Sequence, residues 1–296
     1  MERDRIKTTS WQADAALLGV TLIWGATFVM VKEAVTHFPA FAFLTLRFSF
    51  ALLSLIPLLW VGHRSRVASL GWTELGAGSL VGLALLAGYG LQTVGLRYTT
   101  AAKAGFITGL SVVFVPLLGA ILWRRRPPPA AQMGVVLATG GLILLTLGPT
   151  LSIAWGDLAV LGCALAFALH ILAVGAFAPH IEPRLLTAIQ IGAVALISAL
   201  ISRAAEWPWP SLSRQVLWAA LFTGVLATSL AFGVQSLAQR FTSATHTALI
   251  FAMEPVFAAL FAYLLAGERL GPHRWAGCGL ILAGMLIAEL GTSASA

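Results

Sequence analysis

The sequence predicts an all-α integral membrane protein of ten transmembrane helices, arranged as two inverted five-helix repeats. Three observations predict it. Of 296 residues, 59% are hydrophobic and only 10% charged, with a mean hydropathy of +0.91; a soluble domain carries roughly a quarter charged residues. The apolar residues run on without interruption for about 20 positions at a time, the length a helix needs to cross a bilayer. Finally, the second half of the chain repeats the first at a fixed shift of 143 residues, without gaps, from Asp14/Asp157 and Gly19/Gly162 through Gln92/Gln235, Arg97/Arg240 and Thr99/Thr242 to Gly134/Gly277 and Gly141/Gly284.

The windows lie near residues 13–34, 40–61, 73–96, 101–123, 130–148, 156–177, 184–204, 214–237, 245–266 and 275–290. Stretches such as "AALLGVTLIWGATFVMV" and "GVVLATGGLILLTLG" are continuously apolar, without the alternation of membrane β-strands. The first window follows the charged "MERDRIK" but outruns a signal-peptide core and continues through Lys32 without a small-residue cleavage pattern, so it reads as a retained helix. The second carries Arg47, and the third a GxxxG match at Gly78 and Gly82. After the fourth comes "RRRPPP" at 124–129, whose prolines prevent a helix from running on into the fifth. The fifth and tenth carry glycines spaced by seven, Gly134, Gly141 and Gly148 against Gly277, Gly284 and Gly291. Such a stripe permits close helix contact, within one bundle or between the two copies of a homodimer. The sixth to ninth windows are the mates of the first to fourth. Two domains follow, 1–148 and 149–296, and the short connections leave no room for a soluble domain between helices.

Five helices is an odd number, so the second copy starts from the opposite face of the membrane and is inverted. Inverted repeats of this kind are a recurring design of secondary transporters, whose two halves exchange shapes around a midplane site. Lysine and arginine in the connections favour both termini inside. Ten lie on the inner side (Arg3, Arg5, Lys7, Arg64, Arg66, Arg124, Arg125, Arg126, Arg184, Arg240), and seven on the outer (Lys32, Arg97, Lys103, Arg203, Arg214, Arg269, Arg274).

Other classes find no support. The net charge of +7 is scattered among loops, which fits membrane orientation and not nucleic-acid binding. Zincin, nucleophile-elbow, P-loop and paired-carboxylate motifs are missing, so neither an enzyme nor a cofactor is expected. Cys163 and Cys278 fall singly inside apolar windows and read as ordinary buried residues, with no metal site.

The stretches "LIWGATFVMVK", "LRFSFA", "GLRYTTAAKAGFI", "MEPVFAALFAYLLAGERL" and "GCGLILAGMLI" together resemble the drug/metabolite transporter superfamily and, within it, the EamA family of ten-helix exporters. The resemblance covers essentially the whole chain. It implies a transporter whose central cavity is lined mainly by helices one, three and four and their mates six, eight and nine. It names no substrate.

The repeat then selects residues in pairs. On helix one Trp24, Thr27 and Phe28 share a face at i, i+3, i+4, matched on helix six by Phe167, His170 and Ile171. Tyr89 and Gln92 on helix three are matched by Phe232 and Gln235 on helix eight, and Thr108 and Ser111 on helix four by Phe251 and Glu254 on helix nine. These patches are expected to converge on one aromatic-walled, sparsely polar substrate site. The hydroxyls fit equally a local backbone bond, and the glutamine pair a brace between the halves. His170 and Glu254 can gain or lose a proton, which makes them candidates for coupling or for holding the charged part of a substrate; the carboxyl also fits a local bond at the Pro255 kink. Arg47, whose mate is Gln190, reads as snorkelling at the outer boundary or as a gating or anion-binding group. Lys32, Lys103 and Arg97 read as interfacial.

The expectation is a secondary active exporter of small metabolites such as amino acids, in the inner membrane. A channel or a non-transporting sensor or scaffold on the same fold is the alternative. Its partners are a small-molecule substrate and the lipid bilayer.

Overall fold

A bilayer core offers the backbone no hydrogen-bond partners, so a crossing segment must satisfy its own, and a helix does so locally. The computed structural model describes residues 2–60, 71–124, 127–146, 154–265 and 271–293, and every regular element among them is helical. In chain order these are α1 (Glu2–Gly25), α2 (Thr27–His37), α3 (Ala40–Trp60), α4 (Trp72–Leu96), α5 (Ala101–Gly109), α6 (Ser111–Trp123), α7 (Pro129–Thr146), α8 (Trp155–Phe177) and α9 (Pro183–Ala205). There follow α10 (Arg214–Gly224), a π-helical segment (Val225–Leu230), α11 (Ala231–Ala238), α12 (Ala244–Phe251), α13 (Glu254–Leu265) and α14 (Pro272–Ser293). Among the described residues, eight stretches are long and apolar enough to cross a membrane, alongside the shorter apolar helix Pro129–Leu144. The molecule is a multi-pass membrane protein.

Several windows that read as single helices are broken. The first divides at Ala26 into α1 and α2, and the eighth is interrupted by the π-helical segment. The fourth and ninth break at positions related by the same 143-residue shift. At Leu110 the N–H donates to Ile107 O (3.1 Å), and at Met253 to Ile250 O (3.0 Å), a tightened three-residue turn in both cases. Pro255, which has no N–H to donate, sits in the first turn of α13, where none is needed. The helices that follow α4 and α11 are also capped alike: Thr100 Oγ1 accepts from Lys103 N (3.2 Å) and Ser243 Oγ from His246 N (3.1 Å).

Lipid tails are as apolar as leucine, so close packing and interhelical bonds hold such a bundle together. The glycine stripes supply one close approach, within this one chain. A methyl group added at Gly134 would lie 2.6 Å from Gly284 O, and one at Gly141 2.5 Å from Gly277 O, so α7 and α14 touch backbone to backbone. Gly78 and Gly82 seat α4 on Ile189 and Ala193 of α9. The "RRRPPP" stretch ends α6 at Trp123, with Arg124 in the left-handed conformation (φ 53°), and α7 starts on Pro129. Gly148, Arg64, Arg66, Arg125, Arg126 and Arg269 lie outside the described residues, as do the side chains of Arg3, Arg5 and Lys7 and the surroundings of Gly291. Both cysteines are free and buried.

Candidate functional site

The breaks in α5–α6 and α12–α13 turn the N-terminal residues Ser111 and Glu254 into one central cavity. Its walls hold every residue singled out above: Trp24, Thr27, Phe28, Arg47, Tyr89, Gln92, Thr108, Ser111, Phe167, His170, Phe232, Gln235, Phe251 and Glu254, with Val31, Leu96, Gly109 and Ile171 completing the lining. The cavity volume is small, about 60 Å³. That is room for a few water molecules. A solute enters only if side chains or helices move.

Aromatic rings form most of the wall. Trp24 stacks edge-on against Phe251 (4.8 Å between centroids) and lies 5.7 Å from Phe232. Tyr89 meets Phe167 at 5.1 Å and Phe232 at 6.0 Å, and His170 lies 5.4 Å from Phe232. Centroid spacings of this size suit edge-to-face contact, and rings fixed by one another give a stiff apolar surface.

Arg47 departs from the expectation of a boundary residue. It is 3% exposed and lines the cavity. Burying a guanidinium requires that its donors be satisfied. Nε donates to Thr228 Oγ1 (2.8 Å), and Nη2 to Tyr89 Oη (3.0 Å) and Ala227 O (3.4 Å), while the guanidinium carbon lies 4.3 Å from the Tyr89 ring centre. The π-helical segment makes this arrangement. In an α-helix the Ala231 N–H would reach Ala227 O; here it reaches back to Leu226 O, and Ala227 O accepts instead from Trp24 Nε1 (2.8 Å) and from Arg47. Thr228 Oγ1 in turn donates to Thr223 O (2.8 Å). π-Helical turns are rare and gather at functional sites.

The remaining polar groups divide into those satisfied by the protein and those left facing the cavity. Thr27 Oγ1 donates to Trp24 O across the break between α1 and α2 (2.8 Å), and Gln92 Nε2 donates to Thr108 Oγ1 (3.1 Å). Gln235 Nε2 donates to Gln239 Oε1 (2.8 Å), which is anchored through its own amide to Ile171 O (3.0 Å). These two glutamines bond within their own halves and do not brace one half against the other. His170 Nε2 lies 2.7 Å from Gln190 Oε1, so the imidazole donates there, and Gln190 continues to Ser236 Oγ (3.4 Å). Gln235 Oε1 is buried with no hydrogen-bond partner among the described residues. Glu254 is partly accessible and faces the cavity without a local backbone bond. No ion pair within 4.0 Å joins it to Arg47 among the described residues.

Residue spacing did not disclose Gln190, Thr228 and the Ala227 carbonyl. Gln190 stands out in the sequence only as the mate of Arg47, and the π register carries no glycine or proline signal in "VLATSL". Lys32 and Lys103 are more than interfacial: Lys32 Nζ donates to Leu96 O and Thr99 O (both 2.6 Å), and Lys103 pairs with Asp157 (3.3 Å). Arg97 is exposed as expected.

Comparison with known proteins gives the same reading of the whole chain. A protein of Archaeoglobus fulgidus named an uncharacterized transporter is 34% identical over 278 residues, covering 94% of this chain and 86% of its own. The uncharacterized inner membrane transporter YedA of Escherichia coli is 27% identical over 288 residues, covering 93% and 90%. A solved crystal structure superposes with a TM-score of 0.77 at 22% identity, over 94% of this chain and 98% of that one, and shares the fold. The EamA-like transporter family matches twice, over residues 11–147 and 154–290, two stretches that begin and end 143 residues apart. With both matches together spanning nearly its full length, the chain belongs to the EamA-like transporter family of membrane transporters.

Proposed function

We propose that this transporter is a secondary active carrier that exports small zwitterionic metabolites such as amino acids across the inner membrane. It works by alternating access around the central cavity, as ten helices in two inverted five-helix repeats with both termini cytoplasmic. The observation that carries the substrate class is the pairing of Arg47 and Glu254 in one aromatic-walled cavity without direct contact between them. A fixed cation and a carboxylate that face a common space are complementary to a solute bearing a carboxylate and an ammonium group, and the rings accept its apolar part. Gln235 Oε1, unsatisfied by the protein, offers a further acceptor. Multiply phosphorylated solutes would call for more cations than this cavity holds. Glu254, with His170 across the same space, couples movement of the solute to protons, since intramembrane groups of this kind commonly form proton relays.

A channel on the same fold is less well supported, because ring-shaped charge or carbonyl filters are the usual basis of pores and this lining is mixed aromatic and amide. The test is ligand-induced thermal stabilisation of the purified protein by neutral amino acids, their N-acetyl derivatives and their amides. The parent protein is expected to be stabilised by the zwitterions alone, as binding to the folded state requires. Glu254→Gln should lose its preference for the free ammonium over the N-acetyl group. Equal stabilisation by all three series, in parent and variant alike, would remove the zwitterion reading.

A further inference from the structure

Outside the cavity, two ion pairs link the first half of the chain to the second. Lys103 Nζ donates to Asp157 Oδ2 at 3.3 Å, and His246 Nε2 lies 3.2 Å from Asp14 Oδ1, within ion-pair distance but not aligned for a hydrogen bond. The 143-residue shift converts one pair into the other: Lys103 corresponds to His246, and Asp14 to Asp157. Each cation is three residues past the Thr100 or Ser243 cap of its helix. Each acid stands in the first turn of its own crossing span, Trp11–His37 or Trp155–Phe177. The surroundings match as well, since Gly95 and Gly156 touch beside the lysine pair, and their counterparts Ala238 and Ala13 belong to one buried cluster beside the histidine pair.

The pairs lie at opposite ends of the cavity. Asp14 and Lys32 are 18 residues apart on the span Trp11–His37, about 27 Å at 1.5 Å per residue. Lys32 donates to Thr99 O, and Thr99 Oγ1 donates to Asp157, which puts the lysine pair at the Lys32 end. Trp24 and Thr27, which line the cavity, fall between the two ends. Both pairs are within ion-pair distance here.

We propose that Asp14–His246 and Lys103–Asp157 are the two latches of the carrier, each tying the halves together at one end of the cavity so that release of one opens the site to that side only. This rests on the alternating-access reading above. The latches differ in character. The lysine pair is partly wet (36% and 10% exposed side chains), and the histidine pair is drier (9% and 13%) and is ionic only when the imidazole is protonated.

The test uses a single cysteine at Ser111, in a chain with Cys163 and Cys278 replaced by serine. Membrane-impermeant maleimide is applied to either face of sealed vesicles. Asp157→Asn should raise labelling from one face and Asp14→Asn from the opposite face, each by about fivefold or more, the size of a typical coupling between states. The charge swap Lys103→Asp with Asp157→Lys should return labelling to the parent level, and His246→Lys should lower labelling from the face that Asp14→Asn opens. Unchanged labelling, a rise from the same face in both variants, or loss of folding that the swap does not rescue would overturn the proposal. Labelling requires no transported solute, so a failed substrate reading leaves this result intact, and a failed latch leaves the solute binding test intact.

Discussion

The Arg47 guanidinium holds Tyr89, Thr228 and Ala227 O at once, which a lysine ammonium on a flexible stem cannot reproduce. Arg47→Lys should therefore weaken solute binding by about 10- to 100-fold, as expected for lost charge-assisted bonds. Tyr89→Phe removes one such bond from a residue that keeps its ring contacts, so a loss of only about fivefold is expected. Isothermal titration of the purified variants checks both, and equal losses for the two would count against Arg47 as the organising charge. Most of the cavity was legible at this scale because a wall residue and its mate repeat at a fixed shift: Trp24 with Phe167, Tyr89 with Phe232, Gln92 with Gln235. Arg47 was not legible as a cavity residue. Its mate is a glutamine, and its depth is set by how α3 meets the π-helical segment, where a methyl group added at Gly224 would lie 2.5 Å from Arg47 O. Such a contact between segments distant in sequence leaves no periodic trace.

Helices were legible as lengths of apolar sequence, and their interruptions only where proline or the repeat marked them. Pro255 announces the break before α13, and the corresponding turn at Leu110 could be read only through the repeat, for Pro116 lies inside α6. The π-helical segment had no mark at all, yet it positions Trp24 and Arg47. The α7–α14 contact, by contrast, was written in glycines spaced by seven, and the structure shows both stripes meeting inside one chain. A side chain at Gly141 would press on Gly277 O and Ile281, whereas Gly140 faces open space with nothing within 4 Å of an added methyl group. Gly141→Val is expected to destabilise the protein by about 1–3 kcal/mol, the usual cost of overpacking, and Gly140→Ala to leave it unchanged. Thermal denaturation in detergent separates the two; equal melting temperatures would mean that the contact does not hold the bundle together.

The whole molecule is a chain written twice, and the shift that relates its halves also relates the breaks at Leu110 and Met253, the caps of α5 and α12, and the Lys103–Asp157 and His246–Asp14 pairs. Where the halves diverge, chemistry concentrates: Thr27 against His170, Ser111 against Glu254, Arg47 against Gln190. Two of the divergent residues, His170 and Gln190, are hydrogen-bonded to each other, so the mismatch is a built unit and not scattered drift. An aromatic cavity faced by one cation and one carboxylate fits the proposed carrier, and a carrier exchanges solute across its site without net driving force. The most direct measurement is counterflow in proteoliposomes preloaded with a neutral amino acid. A carrier gives a saturable, transient accumulation of labelled solute above equilibrium, abolished when Arg47 is replaced by lysine and Glu254 by glutamine together. Accumulation that never exceeds equilibrium, for every amino acid tried and for a broad panel of other zwitterions, would contradict it.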